Sequence, residues 1–332
     1  MTSLGRRLLA VPIVVWGAAT LVFLVLRVIP GDAVNQAAGL SATPEQREQI
    51  RAALGLDQPV ITQYAIYLGG LVRGDLGTSF SSGRSVTELL LGTIPVTIEL
   101  AVASTLVMVV VGIGTGVLAA ARTGTWIDAA ARALATVFFS MPWFFLGVAL
   151  IVIFSVYGGL LPSFGRFPPG TAYEPVTNFV LIDAVILNRY DLVGPWLRHL
   201  VLPALTVGLT TAGFLMRITR ASFVETMSED FVRTARAKGM SRAAIFWSEI
   251  FRNASLPIVT ILGLQFGSLL GGAVVTEVVF TYPGVGQLLV DTIARRDYPV
   301  VQGAALVVAA LYVLVNVLTD ASYSVLDPRL RR

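Results

Sequence analysis

The sequence predicts an all-α polytopic membrane protein with six transmembrane helices and a small external helical region after the first span. Composition is the first reason. The chain of 332 residues is 55% hydrophobic and only 13% charged, with a mean hydropathy of +0.77. A soluble domain carries about 25% charged residues, so this much apolar surface needs lipid around it. The second reason is a series of apolar runs, each near the ~20 residues that cross a bilayer as a helix. The third is that the short connections on one side of these runs hold most of the cations, as expected for loops that stay inside.

Taken in order, Arg6 and Arg7 precede an apolar run from Leu8 to Ile29. A signal peptide has an apolar core of roughly 7–15 residues and a small-residue cleavage site. This run is longer and ends at Arg27 and Pro30, so it reads as an uncleaved first span with its N-terminus inside. Gly31 to Pro95 is polar in character and is expected outside. It holds a helix from Pro44 to Leu54, set between Ala42-Thr43 and Gly55. The second span runs from Val96 to Ala121. Its Gly112 and Gly116 form a small-xxx-small pair that allows close helix approach, and Glu99 sits at an outer edge where it can stay hydrated. The third span, Leu134 to Tyr157, contains Pro142 and should kink there.

Leu160 to Leu200 reads as an external loop rich in proline and glycine. Its apolar stretch Val180 to Leu187 is too short to span and suits a lid or interfacial helix, and His199 is expected to be structural. The fourth span is placed at Leu200 to Leu215, the fifth at Leu256 to Phe280 and the sixth at Val300 to Thr319, before the tail DPRLRR. The fifth is unusual: Gly263, Gly267 and Gly271 repeat at four-residue spacing, Gln265 and Ser268 are polar at membrane depth, and Glu277 lies towards the outer end. Such a bare face can pack against another helix, line a pathway, or do both where a subunit interface is the pathway.

Arg6, Arg7, Arg122, Arg132, Arg217 and Arg220, the cations from Arg233 to Arg252, and Arg329, Arg331 and Arg332 all fall on one side in this topology. Both termini are therefore expected in the cytoplasm, with Ser79, Ser163 and Asp297 outside. The chain divides, on this reading, into residues 1–95, the first span and external region, and residues 96–332, a five-helix core.

The most cationic stretch, Ser228 to Pro257, lies between the fourth and fifth spans. Ser228 suits an N-cap, Glu229 and Asp230 fit the first turn, and Arg233, Arg236 and Lys238 lie towards the end, complementing the helix dipole. Gly239 falls where the chain must take positive φ, and Ser241 can cap a new helix. The product is a helical elbow at the membrane surface; a loop that merely fixes topology would carry the same charges.

Several motifs carry a family resemblance. The stretch TARAKG, followed by RNASLP, resembles the EAA loop of binding-protein-dependent ABC importers in its dipeptide/oligopeptide/nickel form. The glutamate-alanine-alanine triplet itself is replaced by Thr234-Ala235-Arg236, as is usual in the peptide branch. GDAV at 31–34, LGLDQP at 54–59, GDLGTS at 74–79 and the turn from Thr276 to Gly303 resemble external parts of the same permeases. The resemblance implies a type I ABC importer permease fold, with the loop 228–257 as the coupling element. Asp230, Phe231, Arg233, Thr234, Ala235, Arg236, Ala237, Lys238 and Gly239 would then dock on an ATPase, with Phe231 and Ala235 entering its groove. It further implies a homologous second permease subunit, two ABC ATPase subunits and an external solute-binding protein. ATP and Mg would be bound by the ATPase partners and no cofactor by this chain.

Residue counts narrow the function independently. The chain has no cysteine and a single histidine, which excludes disulfides and any site needing two histidines. Its one lysine, Lys238, follows no glycine-rich phosphate loop, so the chain is not expected to be an ATPase. His199 and Lys238 lie on opposite sides of the membrane in this topology, which argues against a Ser–His or Ser–Lys hydrolase. A nucleic-acid partner is not expected. What remains is a transport subunit for short peptides or related small solutes in the cell membrane, driven by a partner. An ATP-independent carrier or channel is the alternative, although the spans have almost no ionisable groups at their centres.

Overall fold

The computed structural model describes residues 3–28, 34, 38, 42–53 and 55–326. Residues 31–33 of the GDAV motif and the whole DPRLRR tail lie outside this set. Helices account for the fold, and among the described residues the only β pairing is an isolated bridge between Thr78 and Ser85. The helices are α1 (Ser3–Val28), α2 (Pro44–Ala53), α3 (Val60–Val72), α4 (Val86–Ala121), α5 (Trp126–Ser140) and α6 (Trp143–Leu150). They continue as α7 (Val180–Ile186), α8 (Val193–Ser228), α9 (Asp230–Ala237), α10 (Arg252–Val279), α11 (Val285–Ala294) and α12 (Tyr298–Leu326). A π-helical turn, Ile151–Tyr157, extends α6, and a second, Ile245–Phe251, leads into α10.

Two compact units share these elements. One comprises Met1–Thr97, Pro175–Phe179 and Pro283–Val313; the other Ile98–Glu174, Val180–Tyr282 and Leu314–Arg332. In the first, α2 forms where the sequence signals it. The Thr43 hydroxyl accepts the Gln46 N–H (3.3 Å) while the Gln46 side chain accepts the Thr43 N–H (2.9 Å), a reciprocal capping box. Gly55, at φ +65°, closes the far end as its N–H reaches Ala52 O (3.0 Å) and that of Leu56 reaches Arg51 O (3.0 Å). Val86, Leu90, Val285, Val300 and Ala304 form this unit's core.

A buried carboxylate organises the GDLGTS region of the first unit. Asp297 is 0% exposed and accepts from Ser79 Oγ (2.6 Å), Phe80 N (3.0 Å), Ser81 N (3.0 Å) and Ser81 Oγ (2.7 Å). Ser79 is likewise buried. The expectation that Ser79 and Asp297 stand open on the outer surface is therefore corrected: a carboxylate taking four donors replaces its water shell with the tight turn around it.

In the second unit, α8 is the axis. Leu215 and Thr219 of α8 lie over Gly112 and Gly116 of α4, as the small-xxx-small pair predicts; an added Cβ at Gly116 would stand 2.6 Å from that of Thr219. Gly208 of α8 meets Val107 and Ser104 O, and Gly213 meets the α5 backbone at Ala135 O and Phe139 N. Helix α8 extends well beyond the expected Leu200–Leu215, and α4 begins at Val86 rather than Val96. Hydropathy marks where lipid begins, whereas backbone hydrogen bonding continues into the flanking water. The His199 ring is held within α8 by Pro195 O, 2.9 Å from Nδ1.

At Pro142 the chain breaks rather than kinks: α5 and the segment Trp143–Tyr157 meet at 110°. Met141 is extended, at φ −84° and ψ 124°, which is what a following proline imposes on its neighbour. Glu99 also differs from expectation. Its side chain is largely covered, paired with Arg166 (2.6 Å) and accepting the Val180 N–H (2.6 Å), so protein donors neutralise it. By length and composition, two helical segments among the described residues are long and apolar enough to cross a membrane, Val86–Ala121 and Tyr190–Ser228. The bent pair Trp126–Ser140 with Trp143–Tyr157 would make a third.

Candidate functional site

The elbow after α8 is built by two chain reversals. Helix α8 runs on through Ser228, whose hydroxyl donates back to Glu225 O (2.7 Å), so Ser228 is not the N-cap of α9. Glu229 takes that position in extended conformation, at φ −67° and ψ 150°. The eight-residue α9 then carries Asp230 in its first turn and Arg236 in its last, as the helix dipole favours, and Arg233 pairs with Asp230 at 3.3 Å.

Gly239 ends α9 at φ +76°. Its N–H reaches Arg236 O (3.0 Å), and the Met240 N–H reaches Ala235 O (3.3 Å). These are the two bonds of a Schellman closure, which satisfy carbonyls the helix would otherwise leave open. Ser241 then caps the next turn by accepting the Ala244 N–H (3.3 Å). The glycine and the serine fall as the sequence predicts.

Which side of α9 faces outward does not. Val232 and Ala235, three residues apart, are buried in a core cluster with Phe223, Ile245, Ile250 and Ala254. Ala235 is therefore committed to the chain's own interior and cannot enter a partner's groove. Phe231, Arg233, Thr234, Arg236, Ala237 and Lys238 remain exposed. Below this helix the Ser222 hydroxyl of α8 donates to Ala254 O of α10 (2.9 Å), and Phe223, Phe246, Trp247 and Phe251 form an aromatic cluster. The run IFWSEIF is the sequence signal for that cluster, overlooked beside the charges.

A second anchor ties α8 to α5. Asp128 accepts from Arg220 Nε (2.5 Å) and from a terminal guanidinium nitrogen (2.8 Å), and also takes the Gly124 N–H (3.1 Å). Arg220, expected as a topology marker, is thus a bidentate partner. In sequence the pair lies 92 positions apart, so only folding brings it together.

A cavity of about 370 Å³ lies in the same unit. Its walls include Phe139 at the end of α5, Pro142 and Trp143 at the break, Thr210 and Thr211 of α8, and Gln265 of α10. Both threonine hydroxyls donate to α8 carbonyls one turn back, at 2.9–3.1 Å, leaving their oxygens as acceptors. Of the polar residues picked out in the fifth span, Gln265 reaches this cavity. Gly263 and Glu277 are buried; Gly271 is exposed, with no atom within 4 Å of an added Cβ. The neighbouring Gly272 takes the close contact: a Cβ added there would stand 3.2 Å from the Trp143 ring. The surroundings of Gly267 and Ser268 lie outside the described side chains. Thr210 and Thr211 escaped the sequence reading, although paired threonines inside an apolar span were a visible signal.

Outside the spans, this unit holds a perturbed phenol, that of Tyr173. Burial, together with its hydrogen bond to Asp183 (2.7 Å), holds its phenol well above the usual range, so it stays a donor.

Comparison with known proteins agrees with this architecture. Residues 112–332 match the family model described as "Binding-protein-dependent transport system inner membrane component", and residues 1–101 match the model of its N-terminal part. The chain is 42% identical over 319 residues to the dipeptide transport system permease protein of Escherichia coli K12, covering 95% of this chain and 94% of that one. It is 40% identical over 333 residues to the di/tripeptide transport system permease protein of Pseudomonas aeruginosa UCBPP-PA14, covering 100% and 99%. Among solved structures, an inward-facing MetNI methionine ABC transporter chain aligns with a TM-score of 0.52 at 20% identity, over 72% of this chain and 96% of that one. That likeness concerns the fold. The two family models between them take in nearly every residue, and the chain belongs to the inner membrane components of binding-protein-dependent transport systems.

Proposed function

We propose that the chain is the permease subunit of an importer of short peptides, forming half of the translocation pathway. The observation that carries this reading is its full-length likeness to permeases named for dipeptide and di/tripeptide transport. Three features of the chain fit it. The exposed side of α9 offers Phe231, Arg233, Arg236 and Lys238 to a cytoplasmic partner, while Val232 and Ala235 fasten the helix to α8 and α10. The cavity around Gln265, Thr210 and Thr211 gives a path polar acceptors at a break between helices. The open face at Gly271 suits contact with a second, homologous permease.

In this proposal the chain crosses the cell membrane six times with both termini in the cytoplasm. Residues 1–95 supply the first span and external region, and 96–332 the core. Two ATPase subunits bind ATP and Mg and move α9, and an external solute-binding protein delivers the peptide. Reconstitution in sealed vesicles tests it. With the partner subunits and ATP, labelled dialanine should accumulate, and without ATP it should not. Equal uptake by the chain alone would favour an ATP-independent carrier and refute the proposal.

A further inference from the structure

The first unit has an open cavity of its own, about 440 Å³, lined by Arg27 at the end of α1, Gln63 and Tyr67 of α3, Asp75, and Tyr298 and Gln302 of α12. Ligand pockets span roughly 300–1,000 Å³, and this one lies at the small end, where a dipeptide-sized solute fits.

Its chemistry is unbalanced. The half-buried Arg27 guanidinium lies over the Phe23 ring, 3.3 Å from the centroid, and donates to Phe23 O (3.1 Å) and Gln63 Oε1 (2.6 Å). Both acceptors are neutral, and among the described residues no carboxylate pairs with this cation. A guanidinium has five N–H donors, so several remain for a ligand. Beside it, the Tyr67 hydroxyl is buried with no hydrogen-bond partner among the described residues, on a ring stacked against Phe23 at 5.6 Å. Burial pushes that phenol up to about 12, which keeps it a donor at neutral pH. A cation without a counter-charge and an orphan O–H donor at one cavity are complementary to a carboxylate. Asp75 lines the same cavity, with one oxygen engaged by the Gly77 N–H (2.8 Å) and the other left for a cationic group.

We infer that this cavity is a binding site for a small zwitterion, whose carboxylate is held by Arg27 and Tyr67 and whose ammonium group is met by Asp75. The site deepens the peptide-import proposal and rests on it for the choice of a peptide among zwitterions. It lies within residues that nothing about the coupling helix or the cavity of the second unit requires.

The test uses the full chain in phosphatidylcholine nanodiscs, titrated calorimetrically with dialanine, with its C-terminal amide and with inorganic phosphate. Dialanine should bind, and the amide should bind at least about tenfold more weakly. Tyr67→Phe should cost roughly tenfold in affinity, or about 1.4 kcal/mol, without lowering the melting temperature, because the lost oxygen has no partner among the described residues. Arg27→Gln should lose more; if that variant misfolds, Tyr67→Phe still decides. No binding by the wild type, equal affinity for the amide, phosphate competing as well as dialanine, or an unaffected Tyr67→Phe would each overturn the site. Repeating the titration with phosphatidylglycerol in the disc separates the sources of anion. Unchanged affinity supports a soluble ligand, whereas competitive loss assigns Arg27 to a lipid headgroup and overturns the inference. ATP-driven uptake by the complete transporter keeps the two claims apart: uptake without binding sinks this site alone, and binding without uptake sinks the importer reading.

Discussion

Replacing Gly239 by valine perturbs the elbow at one torsion and nowhere else. Gly239 sits at φ +76°, and a Cβ added there would meet nothing within 4 Å, so no clash contributes. The penalty is conformational. An L-residue held in left-handed geometry costs about 1–2 kcal/mol, and a β-branched one is an outlier even there. Escaping the strain means giving up the Gly239-to-Arg236 and Met240-to-Ala235 closure bonds, which swings Arg236 and Lys238 away from their positions. A cost of one to two kcal/mol lowers the properly closed population by roughly 5- to 30-fold. Membrane insertion should be normal, because the spans are untouched. Co-purification of the ATPase subunits and ATP-driven uptake in sealed vesicles should both fall. Gly239→Asn, which tolerates positive φ, should recover most of both. A loop that merely sets topology predicts that Gly239→Val is silent so long as the charges stay. Full ATPase association and uptake in the valine variant, or an asparagine variant as impaired as valine, would refute the reasoning.

Three further outcomes are expected. With cysteine introduced into this cysteine-free chain, exposed Arg84→Cys should react with an impermeant thiol reagent on intact cells, and exposed Ser241→Cys only after the inside is opened; labelling at 241 in intact cells would invert the topology. Gly116→Leu should cost about 1–3 kcal/mol in thermal stability, since its Cβ would lie 2.6 Å from that of Thr219, whereas Gly271→Leu should leave the isolated chain unchanged. If Gly271→Leu then disrupts pairing with the second permease, the open face is an interface; unaltered pairing would leave it facing lipid. Asp297→Asn should loosen the 79–81 turn, because an amide offers one acceptor oxygen where four donors converge, at roughly 1.5–3 kcal/mol per charged bond lost. Faster proteolysis around Ser81 is the readout, and an unchanged cleavage pattern would count against that role.

What the sequence made legible is local. The Ser241 cap, the left-handed Gly239 and the helix between Thr43 and Gly55 each depend on residues a few positions apart, and each stands where the spacing places it. What it hid is non-local or a choice between faces. Asp297 and Ser79 are 218 positions apart, and nothing near either announces the other. On α9 the sequence offers two apolar pairs of helical spacing, Phe231 with Ala235 and Val232 with Ala235. Only packing against Phe223 and Ile250 decides that the second goes inward. The glycine repeat of the fifth span drew attention for the same reason. Bare backbone signals close approach without saying where, and among the described glycines the closest approaches are those of Gly116, Gly208 and Gly213 around α8 and of Gly303 against Val86 in the first unit.

That placement bears on how movement at the elbow would reach the cavity. A displacement travels only through elements that resist deformation, and it needs a joint that transmits it without yielding. Helix α8 has 36 residues and carries Thr210 and Thr211 along the same rod that ends beside α9. At 1.5 Å per residue, about 27 Å separates Thr210 from Ser228 along its axis. At the elbow the joint is stiff: Val232 and Ala235 are packed in the core, and Ser222 is bonded to Ala254. Higher on the rod, the Asp128–Arg220 pair and the glycine contacts join α8 to α5 and α4. The break at Pro142 then stands at the far end of α5, next to the cavity, where the two helical segments meet at 110°. Softening the joint should therefore uncouple without unfolding. Ser222→Ala removes one hydroxyl bond at the base of the elbow, and its expected signature is ATP hydrolysis by the complex that continues while dialanine uptake falls. Hydrolysis and uptake declining together would place the transmission elsewhere.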